Sequence, residues 1–143
     1  MKIYPISIFI CLILTACTVV AAPVLKAPLL PSKGAYFGVY LDWQHDSAAA
    51  FNKRLGVPAA VYVAFFHLPL GKDKKNDLDN FINQVAQQGG SALVTLEPYD
   101  GLDIITPHLA AELAKRFAAY NKRGVPVFLR FAHEMNGYWY PWS

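Results

Sequence analysis

The sequence is poor in cysteine and in charge, and both shortages narrow the class of protein. The 143 residues include only two cysteines, and 16% of the residues are charged. Cys11 and Cys17 both lie in an apolar leader, so we expect a mature chain with no disulfide, no cysteine-based zinc site and no thiol nucleophile. Low charge excludes a disordered polyelectrolyte, and the 55% of hydrophobic residues are enough for the core of one domain.

Basic residues are not concentrated in any one segment. Thirteen Lys and Arg residues against ten Asp and Glu residues give a net charge of +3. Lys72, Lys74 and Lys75 are interleaved with Asp73 and Asp77, which is typical of a solvated loop. We therefore expect no nucleic-acid partner.

Residues 1–22 are predicted to be a secretory signal peptide. Lys2 is followed by an uncharged run over residues 6–20 and then by the small residues Ala21 and Ala22. The run is shorter than the roughly 20 residues that a membrane-spanning helix needs. We expect a secreted, extracellular protein without a stable membrane anchor. A minor alternative is lipid anchoring through Cys17, because residues 14–17 resemble a bacterial lipobox, although the residues that follow are apolar.

Residues 23–33 are a proline-rich linker, and four short apolar runs come after them. Each run is rich in β-branched and aromatic residues, which predicts four strands: residues 35–41, 59–66, 92–96 and 125–131. Because the runs are almost continuously apolar, we expect parallel strands that are buried on both faces. A helical solenoid has a similar period of about 33 residues, but these β-type runs argue against it.

Helical patterns with start and stop signals separate the strands. The first covers residues 47–55, and the second ends at Gly89 and Gly90. The third is the clearest, because Thr106 is a good N-cap and Gly124 follows basic residues in its last turn. The resulting order, β-α-β-α-β-α-β, is that of repeated βαβ units.

Two α/β architectures use this unit, and the sequence favours the barrel. A doubly wound sheet often has a Gly-rich phosphate turn after its first strand, and none follows here. In a (β/α)8 TIM barrel the chemistry lies at the carboxyl ends of the strands. Titratable and aromatic residues stand at those positions: Asp42, Trp43, His45, His67, Glu97, His133 and Glu134. A barrel takes about 250 residues, so we expect residues 34–143 to be a fragment with about the first four β/α units.

The densest group of functional residue types is the string RFAHEMNGYWYPW over residues 130–142. Glu134 ends a predicted strand among aromatic residues, so we expect a partly desolvated carboxyl that is suited to carrying a proton. Trp139 and Trp142 offer flat faces to sugar rings, and Asn136 and His133 can bind hydroxyl groups. An acid with aromatic platforms fits glycoside hydrolysis.

Structural roles for the same residues remain open at this point. Glu134 could form an ion pair with Arg130, and Trp139 and Trp142 could belong to the core. A zinc-protease helix is excluded because it needs a second His four residues after His133, where the chain has Gly137. We predict no metal site and no cofactor.

The string RFAHEMNGYWYPW resembles the fourth-strand motif of glycoside hydrolase family 26, whose best-known members are endo-β-1,4-mannanases. Residues 37–43 and 93–98 also resemble that family's first and third strands, and the resemblance covers residues 34–143. It implies a (β/α)8 barrel that acts on a polysaccharide, β-mannan or a related β-glycan, by a retaining mechanism with two glutamates.

The resemblance also assigns roles to individual residues. It implies that Glu134 is the general acid/base and that His133 contacts the substrate or orients the site. Trp139 matches the tryptophan that lines the catalytic subsite, and Arg130 matches an arginine that orients the carboxylates. Asn136 and Trp142 match the motif without an equally clear role.

No residue of this chain matches the family's nucleophile, which lies near the end of the seventh strand. We therefore expect the 143 residues alone to be inactive, and we do not assign that role to Glu97 or Asp42. The alternative is a truncated, non-catalytic relative that binds carbohydrate through Trp139 and Trp142.

Overall fold

The protein is an α/β structure with one parallel sheet. A computed structural model describes residues 31–71 and 77–143. The predicted signal peptide, both cysteines, nearly all of the predicted linker and the lysines at 72, 74 and 75 lie outside the described residues.

Four parallel strands pair in the order in which they occur along the chain. They are β1 (Gly38–Tyr40), β2 (Val61–His67), β3 (Ser91–Glu97) and β4 (Val127–Phe131). All four strands were predicted, although β1 is shorter than the run at residues 35–41. The sequential order has no reversal of the kind that defines the crevice of a doubly wound sheet.

Three helices connect the strands: α1 (Ala48–Leu55), α2 (Leu78–Gln88) and α3 (Pro107–Lys122). Each begins after a side-chain cap, because the oxygens of Ser47, Asp77 and Thr106 accept backbone N–H groups of the first turn. A 3-10 turn (Leu102–Ile104) precedes α3. Within the described residues, no helix has the length and apolar character needed to cross a membrane.

The hydrophobic core lies between one face of the sheet and the helices. Alternate residues of β2, such as Tyr62 and Phe66, are buried against Phe81 and Ile82 of α2. Tyr120 of α3 belongs to the same core. The opposite face carries the side chains of Phe65 and its cross-strand neighbours, and it positions the candidate site.

The prediction that the strands are buried on both faces holds for β3. It is wrong for β1 and β4, which are largely exposed, and for β2, which is fully buried on one face only. Six of the seven residues of β3 are buried, whereas four of the five residues of β4 are exposed. The physical reason is position: β3 lies inside the sheet, while β1 and β4 are its edge strands. The apolar run therefore predicted correctly that β4 is a strand, but it did not predict how far the faces of that strand are buried.

Candidate functional site

An open cleft of about 640 Å³ lies on the face of the sheet opposite the helices. Its lining combines aromatic, acidic and basic side chains: Tyr40, Val63, Phe65, His67, Glu97, Arg130, His133 and Tyr140. These residues come from all four strands and from the segment after β4, so the cleft follows directly from the parallel order of the sheet.

Strand register brings the polar residues together. His67 at the end of β2 pairs with Glu97 at the end of β3. One step earlier, Thr95 of β3 pairs with Arg130 of β4. Paired residues of neighbouring strands point to the same face, so the predicted grouping of titratable residues at the strand ends is confirmed for His67 and Glu97.

Glu97 is the buried carboxyl of the site. It is only 6% exposed. Burial raises the pKa of this carboxyl above its usual range, and the nearby His67, His133 and Arg130 oppose the rise. One carboxyl oxygen lies 3.4 Å from Nε2 of His67, and the other lies 3.9 Å from Nδ1 of His133.

The backbone bends and enters a turn where β4 ends. Ala132 and Glu134 have φ angles of 46° and 55°, which are in the left-handed region that non-glycine residues rarely adopt. Such strain costs about 1–3 kcal/mol per residue and is concentrated at functional sites. The two strained residues flank His133, whose side chain lines the cleft.

The Glu134 side chain is exposed, and one residue of the motif holds it. Nε1 of Trp139 donates a hydrogen bond of 2.9 Å to its carboxyl. The expectation that Glu134 is desolvated is wrong for this structure, because the residues around it leave it exposed and Glu97 is the buried carboxyl instead. Trp139 itself is 57% exposed and keeps a ring surface open to a ligand.

Gly137 allows this arrangement. A Cβ atom at position 137 would lie 2.6 Å from two atoms of the Trp139 indole. The ring therefore lies directly on the glycine, and any side chain there would have to displace it.

Trp142 has a packing role in this structure rather than an open face. It is 5% exposed, and its ring stacks on Tyr140 at 4.4 Å between centroids. Its Nε1 donates a hydrogen bond of 2.8 Å to the carbonyl of His133. This contact folds the segment after β4 back onto its own beginning. Of the two tryptophans that were predicted to stack on sugar rings, Trp139 therefore keeps an exposed face and Trp142 does not.

Arg130 is held by two neighbours on the same face. Its Nε donates a hydrogen bond of 2.9 Å to Oγ1 of Thr95, and its guanidinium lies 5.0 Å from the centre of the Phe65 ring. It forms no ion pair with Glu134 in the part of the chain that the structure describes. Asn136, the remaining site residue from the sequence, is exposed on the segment after β4.

Sequence reasoning missed Phe65, Thr95 and Tyr140. Phe65 and Thr95 lie in the middle of apolar runs, where only the alternation of faces and the register mark them as cleft residues. Tyr140 is part of the aromatic motif, but nothing in its spacing shows that its hydroxyl lies 3.1 Å from Nε2 of His133.

The residues after β1 are separate from this constellation. Asp42 pairs with His45 on the surface at 2.8 Å, and this hydrogen bond lowers the pKa of Asp42. Trp43 packs against Phe81 in the core and donates a hydrogen bond to the carbonyl of Val63. Trp43 therefore has a structural role.

No group of three or more His, Cys, Asp or Glu side chains within residues 31–71 and 77–143 is arranged to hold a metal ion. Comparison with known protein families finds no family that matches the sequence, and no curated protein matches it either. Over residues 31–71 and 77–143, the structure is that of an α/β protein with a four-stranded parallel sheet and three helices.

Proposed function

We propose that this protein is a secreted retaining glycoside hydrolase, of the endo-β-1,4-mannanase type that its fourth-strand motif resembles. The observation that carries the proposal is the placement of Glu134. Glu134 has a strained backbone conformation at the end of a parallel strand. Its carboxyl is open to solvent and accepts a hydrogen bond from the Trp139 indole. Acids at the carboxyl ends of such strands are where barrel enzymes carry their chemistry.

We also propose that the four strands are the first part of a (β/α)8 barrel. Three features support this. The strands pair in sequential order, the helices pack against one shared core, and the opposite face carries the cleft residues. Leu129 and Phe131 of β4 are exposed and apolar, as expected of an edge that a further β/α unit covers.

In this proposal Glu134 acts twice. As a general acid it gives its proton to the glycosidic oxygen, which leaves as an alcohol when its bond to the anomeric carbon breaks, while that carbon forms an ester with a second carboxylate. As a general base it then takes a proton from the water that hydrolyses this ester. The exposed face of Trp139 would stack on the apolar face of a sugar ring. The second carboxylate has no counterpart assigned in this chain, and it would stand about 5–5.5 Å from Glu134.

Glu134→Gln tests the proposal in the full-length secreted protein. We expect turnover of β-mannan to fall by about 10²–10⁴-fold, since the amide cannot exchange the proton, while oligosaccharide binding is retained. Glu112→Gln is the matched control, because Glu112 is exposed on α3, far along the chain from the motif. Equal activity of the two variants would refute the role of Glu134.

The second candidate function is carbohydrate binding without catalysis. The exposed indole of Trp139 favours it, because this surface needs no partner carboxylate to bind a sugar. It predicts that the wild-type protein binds mannan oligosaccharides but does not hydrolyse them, and that Trp139→Ala weakens the binding.

A further inference from the structure

Glu97 lies between two imidazoles, each from a neighbouring strand end. Its Oε2 faces Nε2 of His67 at 3.4 Å, and its Oε1 faces Nδ1 of His133 at 3.9 Å. The carboxyl is nearly inaccessible to solvent, and so is the His133 side chain, which is 8% exposed. A carboxylate that is enclosed in this way has to satisfy its oxygens with local donors.

The two ring nitrogens of His133 have different surroundings. Nδ1 is buried and has no hydrogen-bond partner within direct reach. The group that faces it is the Glu97 carboxyl, at ion-pair distance and beyond the length of a direct hydrogen bond. Nε2 lies 3.1 Å from the hydroxyl of Tyr140.

Aromatic rings fix the orientation of the imidazole. Phe65, Tyr140 and Trp142 surround it with ring centroids 5.3, 4.9 and 5.7 Å away. The hydrogen bond from Trp142 to the His133 carbonyl holds the backbone at the same point. These rings restrict the movement of the imidazole, and the hydrogen bond between Nε2 and the Tyr140 hydroxyl favours the orientation in which Nδ1 faces Glu97.

We propose that Glu97 is a positioning residue, which holds neutral His133 as the tautomer with its proton on Nδ1. A carboxylate favours an N–H group that faces it, because a lone pair at Nδ1 would be repelled. Nε2 is then a hydrogen-bond acceptor on the Tyr140 side. Tyr140 donates its hydroxyl proton to that nitrogen when no ligand is present.

This assignment predicts what His133 recognises, and that part rests on the proposed function. With its lone pair on Nε2, His133 accepts a hydrogen bond from a sugar hydroxyl and does not donate one. A sugar hydroxyl that donates to Nε2 takes the place of the Tyr140 hydroxyl, whereas a sugar that lacks this hydroxyl leaves the bond to Tyr140 as it is. Glu97 thus acts on the substrate through His133 without contacting it.

The other charged or titratable groups around Glu97 come from three elements. They are His67 at the end of β2, Arg130 in β4, and Tyr99, whose ring packs against His67 at 4.5 Å. Tyr140 lies on the far side of His133. Among these groups Glu97 is the carboxyl that faces Nδ1 of His133, so it is the group placed to determine which ring nitrogen carries the proton.

Nitrogen-15 NMR of the imidazoles in the full-length protein tests the proposal directly. At a pH where the ring is neutral, we expect a protonated Nδ1 and an unprotonated Nε2 for His133, with the Nδ1–H form in at least about tenfold excess. His133→Gln assigns the signals. A wild-type spectrum with the proton on Nε2 overturns the proposal, whatever any variant does.

Glu97→Gln tests the cause. The amide can turn either its oxygen or its NH2 group toward the ring, so we expect the tautomer ratio of His133 to fall about tenfold toward equality. Glu112→Gln is the matched control, since Glu112 lies 3.7 Å from His108 on the surface of α3. It should leave the signals of His133 unchanged. A folded Glu97→Gln protein with the wild-type ratio would show that Glu97 is only structural.

This measurement does not depend on turnover. Mannan hydrolysis by a protein with the other tautomer would leave the proposed function intact and refute the role of Glu97. The expected tautomer in a protein without turnover would refute the proposed function alone.

Discussion

Trp139 and Gly137 show how the absence of a single methyl group can determine the position of a neighbouring side chain. The indole lies against the glycine, and its Nε1 donates a hydrogen bond to the Glu134 carboxyl. Gly137 lies outside the left-handed region, so what requires glycine is the space occupied by the ring rather than the backbone conformation.

We therefore predict that Gly137→Ala displaces the Trp139 ring, because the new Cβ would lie 2.6 Å from it. The hydrogen bond to Glu134 should be lost. If Trp139 binds mannan oligosaccharides as proposed, affinity for them should fall by about tenfold, the effect of roughly 1.4 kcal/mol. Isothermal titration calorimetry measures this change.

A double-mutant cycle separates the ring from other causes. In a Trp139→Ala background, Gly137→Ala should have no further effect on affinity, because no indole is left to displace. An equal loss in both backgrounds would mean that position 137 acts through the backbone instead.

At the scale of elements, α2 and α3 are joined by three polar side chains. Tyr120 donates its hydroxyl proton to Asp79, and Arg116 donates to both the Tyr120 hydroxyl and Asp79 at 2.7 Å. Burial and the bond to Asp79 raise the pKa of Tyr120 to about 12. The same bond lowers the pKa of Asp79.

This group predicts a loss of stability at high pH. An unfolded tyrosine loses its proton near pH 10 and folded Tyr120 near pH 12, so the unfolded state binds fewer protons between these values. The free energy of unfolding should fall across that window by about 2–3 kcal/mol from this residue, since each pKa unit corresponds to about 1.4 kcal/mol. Urea titrations at a series of pH values measure it.

In Tyr120→Phe, the free energy of unfolding should fall less steeply with pH over this alkaline window than in the wild type. Tyr138→Phe should keep the wild-type slope, because Tyr138 is almost fully exposed. If both variants keep the wild-type slope, the hydroxyl of Tyr120 does not control stability in this range.

The elements themselves were largely predictable from the sequence, because their signals are local. The cap at Thr106, Pro107 after it and the stop at Gly124 fixed α3 within a residue of its ends. The length of β1 was not predictable, since its pairing with β2 covers only three residues and depends on the partner strand.

The candidate site was predictable only in part. Order along the chain and the parallel sheet bring His67 and Glu97 together, as expected from strand ends. Which carboxyl is buried was not predictable, because the exposure of Glu134 depends on the left-handed backbone at Ala132 and Glu134 after β4. The roles of Glu134, His133 and Trp139 in catalysis stay predictions.

At the scale of the whole molecule, the exposed side of β4 tests the proposed barrel. Leu129 is 53% exposed, and Leu55 at the end of α1 is 42% exposed. If further β/α units cover β4, Leu129→Ala should destabilise the full-length protein by about 2 kcal/mol or more, as for a core leucine.

Leu55→Ala is the matched control and should change stability by no more than about 0.5 kcal/mol, as is usual on a surface. Thermal or urea unfolding of both variants gives the comparison. Two equally small effects would mean that β4 is a true edge of the sheet and that the barrel proposal is wrong.

The hydrogen bond from Trp142 to the His133 carbonyl has a consequence for the order of assembly during folding. It joins residues only nine positions apart, and the bond between Trp139 and Glu134 joins residues five apart. Closing such short loops costs little chain entropy. The contact between Glu97 and His133 closes a longer loop and can form only after α3 connects β3 to β4. We therefore expect the segment that carries Glu134 to close on itself early, so that β4 docks with its acid already in place.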